Sequence, residues 1–262
     1  MSGKGWLILA TGGLISGILA GLLGIGGGTV LVPLLVALGY PPVQAVATSS
    51  LAILVTSISG SIQNWRMGYF DWKRVIFLGF PAVVTSQIGV YIASRILPYI
   101  LLLAFGILLL INVYLVNLRQ HLVTTQASNI QTTTETQFNP LLARFVTGGA
   151  AGILAGLFGV GGGVIMVPLQ MLLLKEEIKV AIQTSLGVIV ITAVSATSGH
   201  TLAGNVLFIP GLLLGCGGLL GAQISTRILP KLPDRIISFI FRLFLGLLSI
   251  YVFWQAWQNY LS

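Results

Sequence analysis

Residues 21–34 read GLLGIGGGTVLVPL, and residues 156–169 read GLFGVGGGVIMVPL. Each cluster lies inside a long apolar run, where every helical glycine costs about 1 kcal/mol relative to alanine. The runs cover residues 6–39 and 144–174. At 1.5 Å per residue the first would reach about 51 Å as one helix, against a hydrocarbon core of about 30 Å. That is too long for one crossing and short for two. A helix broken at the glycines and folded back on itself fits this length.

Composition sets the surroundings. The chain of 262 residues is 56% hydrophobic and 7% charged, whereas soluble domains carry about 25% charged residues. Such a surface belongs in a bilayer. The runs are helical in length, unlike the short alternating strands of an outer-membrane barrel. The net charge of +8 comes from basic residues scattered in short loops, so we expect no nucleic-acid partner. The single Cys216 excludes an intramolecular disulfide, and its GCGG setting suggests a small buried packing residue. The apolar N-terminus is too long for a signal core and reads as a retained membrane segment.

The chain is duplicated. Gly17–Leu34 aligns with Gly152–Leu169 at an offset of 135, with thirteen of eighteen positions identical. Ser49-Ser50-Leu51 falls on Thr184-Ser185-Leu186, and Ala93–Pro98 matches Ser225–Pro230 after a shift of three. We therefore expect a first membrane repeat over 1–118, a polar flexible linker over 119–143, and a second repeat over 144–262. The remaining segments, 43–64, 74–95, 98–118, 178–199, 206–226 and 236–258, each have ordinary spanning length.

Loop charge tests the fold-back. With each long run taken as a single crossing, the loop Lys and Arg residues divide six against six between the two sides. If each long run returns to its starting side, they divide ten against two, a clear positive-inside bias. Each half then crosses an odd number of times. The expected fold is an all-α integral membrane protein of two homologous repeats in inverted topology. Each repeat has one glycine-broken re-entrant helical hairpin plus three transmembrane helices. The linker is placed in the cytoplasm, both termini outside, and the protein in the plasma (inner) membrane.

Broken backbone at membrane depth is tolerated only where it is buried or lines a cavity. Helices restarting after each break would present free N–H groups and a positive dipole end. Such turns form anion-binding nests. The candidate substrate-binding residues are therefore Gly26, Gly27, Gly28 and Thr29, with Gly161, Gly162, Gly163 and Val164. The next helix of each half adds hydroxyls at Ser49, Ser50, Thr184 and Ser185, which bind either the ligand or their own helix backbone. Glycines 13, 17 and 21, like 148, 152 and 156, follow the four-residue spacing of close helix contact. The five acidic residues, Asp71, Glu135, Glu176, Glu177 and Asp234, all fall in loops or ends, so no metal site is expected. No enzyme motif and no cofactor signature is present. His200 and Arg242 lie inside apolar segments, the first as a boundary histidine or a titrating group, the second snorkelling or lining a path.

The repeated Gly-Leu-hydrophobic-Gly-hydrophobic-Gly-Gly-Gly with its Val-Pro, Ala-x-x-Thr-Ser-Ser-Leu over 45–51, and Gly68-Tyr69-Phe70-Asp71-Trp72 resemble the TauE/SafE family of sulfite and organosulfonate exporters. The resemblance implies a multi-pass inner-membrane protein that carries a small sulfur-containing anion. The second half has Gly204-Asn205-Val206-Leu207-Phe208 in place of the acidic-aromatic element, so that element is not a symmetric part of the site. An anion channel on the same scaffold and a membrane assembly protein that carries nothing stay open as alternatives. Oligomeric state is not readable.

Overall fold

The computed structural model describes residues 3–128 and 139–261. Among them are ten α-helices: α1 (Gly3–Leu23), α2 (Gly28–Ala37), α3 (Pro42–Arg66), α4 (Trp72–Ala93), α5 (Pro98–Ser128), α6 (Pro140–Phe158), α7 (Gly163–Leu173), α8 (Ile178–Leu202), α9 (Phe208–Ile228) and α10 (Asp234–Leu261). A single 3-10 turn, Leu229–Lys231, joins α9 to α10. Eight of the helices are long and apolar enough to cross a membrane, and the short pair α2 and α7 follow the glycine clusters. The fold is all-helical and multi-pass. Large apolar side chains such as Phe80, Leu220, Leu247 and Ile250 stand exposed on its outside, as a lipid-facing surface requires.

Boundaries expected from the sequence hold to within a few residues for most helices. α5 is the exception: it continues to Ser128, into the segment expected to be linker. The linker residues 129–138 lie outside the described residues.

Glycine spacing decides the packing. A Cβ on Gly13 or Gly17 would strike the backbone of Leu214 or Gly218, so α1 lies directly on α9. Gly148, Gly152 and Gly156 meet the backbone of Leu78, Ala82 and Ser86, so α6 lies on α4 in the same way. Contact positions rise together in both pairs, so each pair is parallel. The arrangement is two-fold in character: the first helix of each half packs on the third long helix of the other half. Two polar ties repeat it. Gln223 Nε2 donates to Ser59 O at 3.1 Å, and Gln87 Nε2 donates to Ser195 O at 2.6 Å.

These equivalences correct the sequence alignment. Helices α3, α4 and α5 begin at 42, 72 and 98, and α8, α9 and α10 begin at 178, 208 and 234, a constant offset of 136. Helix α7, at 11 residues, is one longer than α2, at 10, which accounts for the step from 135. Ser49 therefore matches Ser185, not Thr184. The Arg-Ile-Leu-Pro likeness is also out of place: Arg95–Leu97 form the α4–α5 turn, whereas Arg227 and Ile228 complete α9. Cys216 is exposed, not buried. The packed face of α9 carries Gly211, Leu214, Gly215, Gly218 and Ala222, and position 216 falls on the other side.

Ion pairs gather one end of the bundle. Arg74 Nη1 lies 3.3 Å from Glu176 Oε1 and Lys179 Nζ 3.4 Å from Asp234 Oδ1, while Lys179 also donates to Pro230 O at 3.3 Å. Arg144, at the start of α6, stands beside Glu176, at the end of α7. At the opposite end Leu207 N donates to Thr48 Oγ1 at 3.1 Å, joining the α8–α9 turn to the start of α3. Burial raises the Glu176 carboxyl above its ordinary 4.5, against the pull of Arg74 and Arg144.

Gly17→Ala and Gly152→Ala each force apart a backbone contact and lower stability by about 1–3 kcal/mol. Gly246→Ala, whose added methyl meets nothing within 4 Å, gains up to about 1 kcal/mol in helix propensity; thermal midpoints in detergent compare the three. For Glu176 the folded protein holds its proton to higher pH than the unfolded chain. Its contribution is full below 4.5 and is lost as pH rises through the folded value. Glu176→Gln flattens that slope in midpoint-versus-pH curves.

Candidate functional site

The two breaks meet in the interior. Gly24, Gly26 and Gly27 have φ of 67°, 72° and 82°, and Gly159, Gly161 and Gly162 have 62°, 72° and 79°. Left-handed backbone of this kind is open to glycine at little cost, which is why the clusters are glycine. They also allow close approach. A Cβ on Gly28 would strike Gly159 O, and one on Gly163 would strike Gly24 O. The segments 24–28 and 159–163 therefore lie side by side and antiparallel. Ile53 of α3 and Ile189 of α8 pack against Gly26 and Gly161.

The carbonyls of the breaks are covered by hydroxyls. Ser49 Oγ donates to Gly159 O at 2.6 Å, and Ser185 Oγ donates to Gly24 O at 2.7 Å. Ser16 Oγ donates to Gly27 O at 2.9 Å, and Thr192 Oγ1 to Gly161 O at 2.9 Å. The N–H groups are treated differently. Gly27 and Gly162 are the N-caps of α2 and α7, and neither helix has a side-chain cap. Among the described residues nothing accepts from the N–H of Gly28, Thr29, Gly163 or Val164. Thr29 is fully buried, and among the described residues its Oγ1 has no partner. Pro33 and Pro168, one turn on, lack the N–H that would bond the carbonyls of Thr29 and Val164.

A model of the family described as sulfite exporter TauE/SafE matches residues 9–252. The chain belongs to this family. It is similar to the probable membrane transporter protein YunE of Bacillus subtilis, 29% identical over 96% of this chain and 98% of that protein. It is also similar to the probable membrane transporter protein MJ0441 of Methanocaldococcus jannaschii, 26% identical over 92% of each chain. The sulfite exporter TauE/SafE family protein 3 of Arabidopsis thaliana is 30% identical over 36% of this chain and 20% of its own length. The protein is thus a membrane transporter of the TauE/SafE family, and its family is not one of enzymes.

Within this family member, the site residues expected from sequence divide into two groups. Gly26–Thr29 and Gly161–Val164 come together at the paired breaks. Ser49 and Ser185 sit against the breaks, but their single hydroxyl protons are committed to carbonyls. Ser50 donates to Val46 O, one turn back on its own helix, and Thr184 is buried on the same helix as Ser185. Ser16 and Thr192 were not anticipated: a lone hydroxyl in an apolar helix carries no signature of its tertiary partner. Arg242 turns back on its own helix, its Nε donating to Ser238 O at 3.2 Å.

Ser49→Ala and Ser185→Ala each strip a buried carbonyl of its donor. Each is expected to cost about 1–3 kcal/mol, read as a lower thermal midpoint. The double variant falls further than either single one.

Proposed function

We propose that this protein is a secondary transporter exporting a small oxyanion, sulfite or an organosulfonate, with the anion held at the paired breaks near the bilayer midplane. One observation carries the reading. At the breaks four carbonyls are covered by protein hydroxyls, while among the described residues the N–H groups of Gly28, Thr29, Gly163 and Val164 have no acceptor. A site with donors to spare, at two positive helix ends, favours an anion. The buried Thr29 hydroxyl is a further open donor. The bare donors are neutral, so they hold an anion without the permanence of a fixed cation.

Inverted repeats support alternating access in this reading. Helix α1 runs parallel to α9 and α6 parallel to α4, while α4 begins at the Arg74–Glu176 end and α9 finishes there. Each hairpin accordingly returns toward the end at which it began, as the loop charges also favour. Rocking of one repeat against the other would expose the breaks to each side in turn. The ten basic residues that gather with the linker under this topology favour a cytoplasmic linker, with both termini outside the plasma membrane.

In liposomes containing the purified protein, Gly27→Val and Gly162→Val should insert normally and lose sulfite flux by more than tenfold, since both positions need positive φ. Flux equal to wild type in both variants would remove the breaks from the transport path. A comparison of sulfite, sulfate, thiosulfate and a sulfonate in the same assay assigns the anion. Saturable counterflow marks a carrier, and large single-channel currents mark a channel.

A further inference from the structure

Helices α3 and α8 each carry, beyond the breaks, a pair of buried polar residues one turn apart: Ser61 and Asn64 on α3, Thr197 and His200 on α8. They are equivalent at the offset of 136 and share a helix face by their three-residue spacing. Asn64 and His200 are fully buried, and Ser61 and Thr197 are 9% exposed. Among the described residues no partner is found for Ser61 Oγ, for Thr197 Oγ1, for either polar atom of the Asn64 amide, or for His200 Nδ1. Buried polar atoms are bonded in about nine cases in ten, so five open atoms at two equivalent places call for a ligand.

The two pairs differ in chemistry. His200 Nε2 lies 2.9 Å from Gly156 O, in the last turn of α6 before the break. A carbonyl only accepts, so Nε2 carries the hydrogen. The neutral ring then offers a bare lone pair at Nδ1, which repels an anion. Only with a second proton does Nδ1 become a donor. Asn64 has no such condition, because its amide always carries two N–H donors.

We propose that Thr197 and His200 form a second oxyanion station that takes its anion only together with one proton, whereas Ser61 and Asn64 form its proton-independent counterpart. The inference rests on the transporter reading above. The proton is shared between Nδ1 and an anion oxygen, so either the ring or a weakly acidic anion such as hydrogen sulfite brings it in. No covalent bond is made.

Neighbouring charges leave the proton to His200. Arg66 on α3, Lys73 and Arg74 on α4 and Arg144 on α6 belong to the opposite end of the bundle, where Arg74 and Arg144 meet Glu176. At the His200 end of α4, Tyr91 is exposed with the Arg95 guanidinium 5.1 Å from its ring. Helix α7 has no titratable side chain, and α1 has only Lys4, near its start. On α10, Asp234 pairs with Lys179, Arg235 is exposed, and Arg242 turns back on Ser238. Farther along α10, Tyr251 accepts from Gln255, and Tyr260 meets Tyr99 edge to face.

The test uses sulfite as the probe and has two arms. The first is flux into liposomes against pH for wild type and His200→Asn, the residue that the first repeat holds at this place. Wild-type flux should change by about tenfold per pH unit over the range in which one proton is taken up, and His200→Asn should transport with less than a twofold change. Equal slopes overturn the proposal. The second arm is nitrogen NMR of histidine-labelled His121→Gln protein, in which His200 is the only histidine. Sulfite should move the Nδ1 resonance toward its protonated position, and a resonance unmoved by sulfite overturns the proposal even if His200→Asn fails to fold. Absence of wild-type flux for every anion tried would instead defeat the transporter reading, with the NMR arm still deciding whether His200 binds.

Discussion

Everything in this fold turns on backbone polar groups at four helix ends brought together away from water. A helix end leaves N–H or C=O groups unpaired, and an unpaired group in an apolar interior costs several kcal/mol or more, on the order of 2–7 kcal/mol. The chain handles the two kinds of end in opposite ways. The carbonyls at Gly24, Gly27, Gly159 and Gly161 each receive a hydroxyl from another part of the structure. Among the described residues the N–H groups of Gly28, Thr29, Gly163 and Val164 meet no acceptor. Such a division is uneconomical for a purely structural break, and it is the observation on which the proposed anion site rests.

The same ends explain the cross-packing of the halves. Ser49 caps a carbonyl in the second half, and Ser185 caps one in the first. Each repeat therefore covers one carbonyl of the other's break, while Ser16 and Thr192 each cover one in their own half. The glycine faces of α1 and α6 support this exchange. They bring backbones to within a side chain's reach of α9 and α4, a distance at which dispersion and weak polar contacts hold helices in lipid.

Much of this was legible in the sequence, because glycine is loud. Clusters of three glycines with Val-Pro after them, twice, marked both the duplication and the breaks, and four-residue spacing marked the packed faces. Other parts were silent for physical reasons. The one-residue difference between α2 and α7 lies in a run of Leu, Val and Met where any register looks apolar, so the alignment slipped and Ser49 was matched to the wrong partner. Cys216 looked buried because it sits among glycines, but a helix alternates packed and lipid faces, and in lipid both are apolar. The roles of Ser16 and Thr192 depend on a neighbour distant in the fold, which no local pattern encodes.

Departures from two-fold equivalence carry the remaining information. Where the halves agree, at the breaks and at Ser49 and Ser185, they build one shared feature. Where they differ, one half keeps a neutral amide or hydroxyl and the other does not: Thr29 stands against Val164, and Asn64 against His200. Helix packing alone gives no reason for these differences, since each pair is buried and occupies an equivalent place. A path that runs from one side of a membrane to the other has distinct ends, with different pH and different anion concentrations. A duplicated fold that serves such a path has reason to let its halves differ, and it does so both at the centre, where Thr29 takes the place of Val164, and toward the ends, where Asn64 stands against His200.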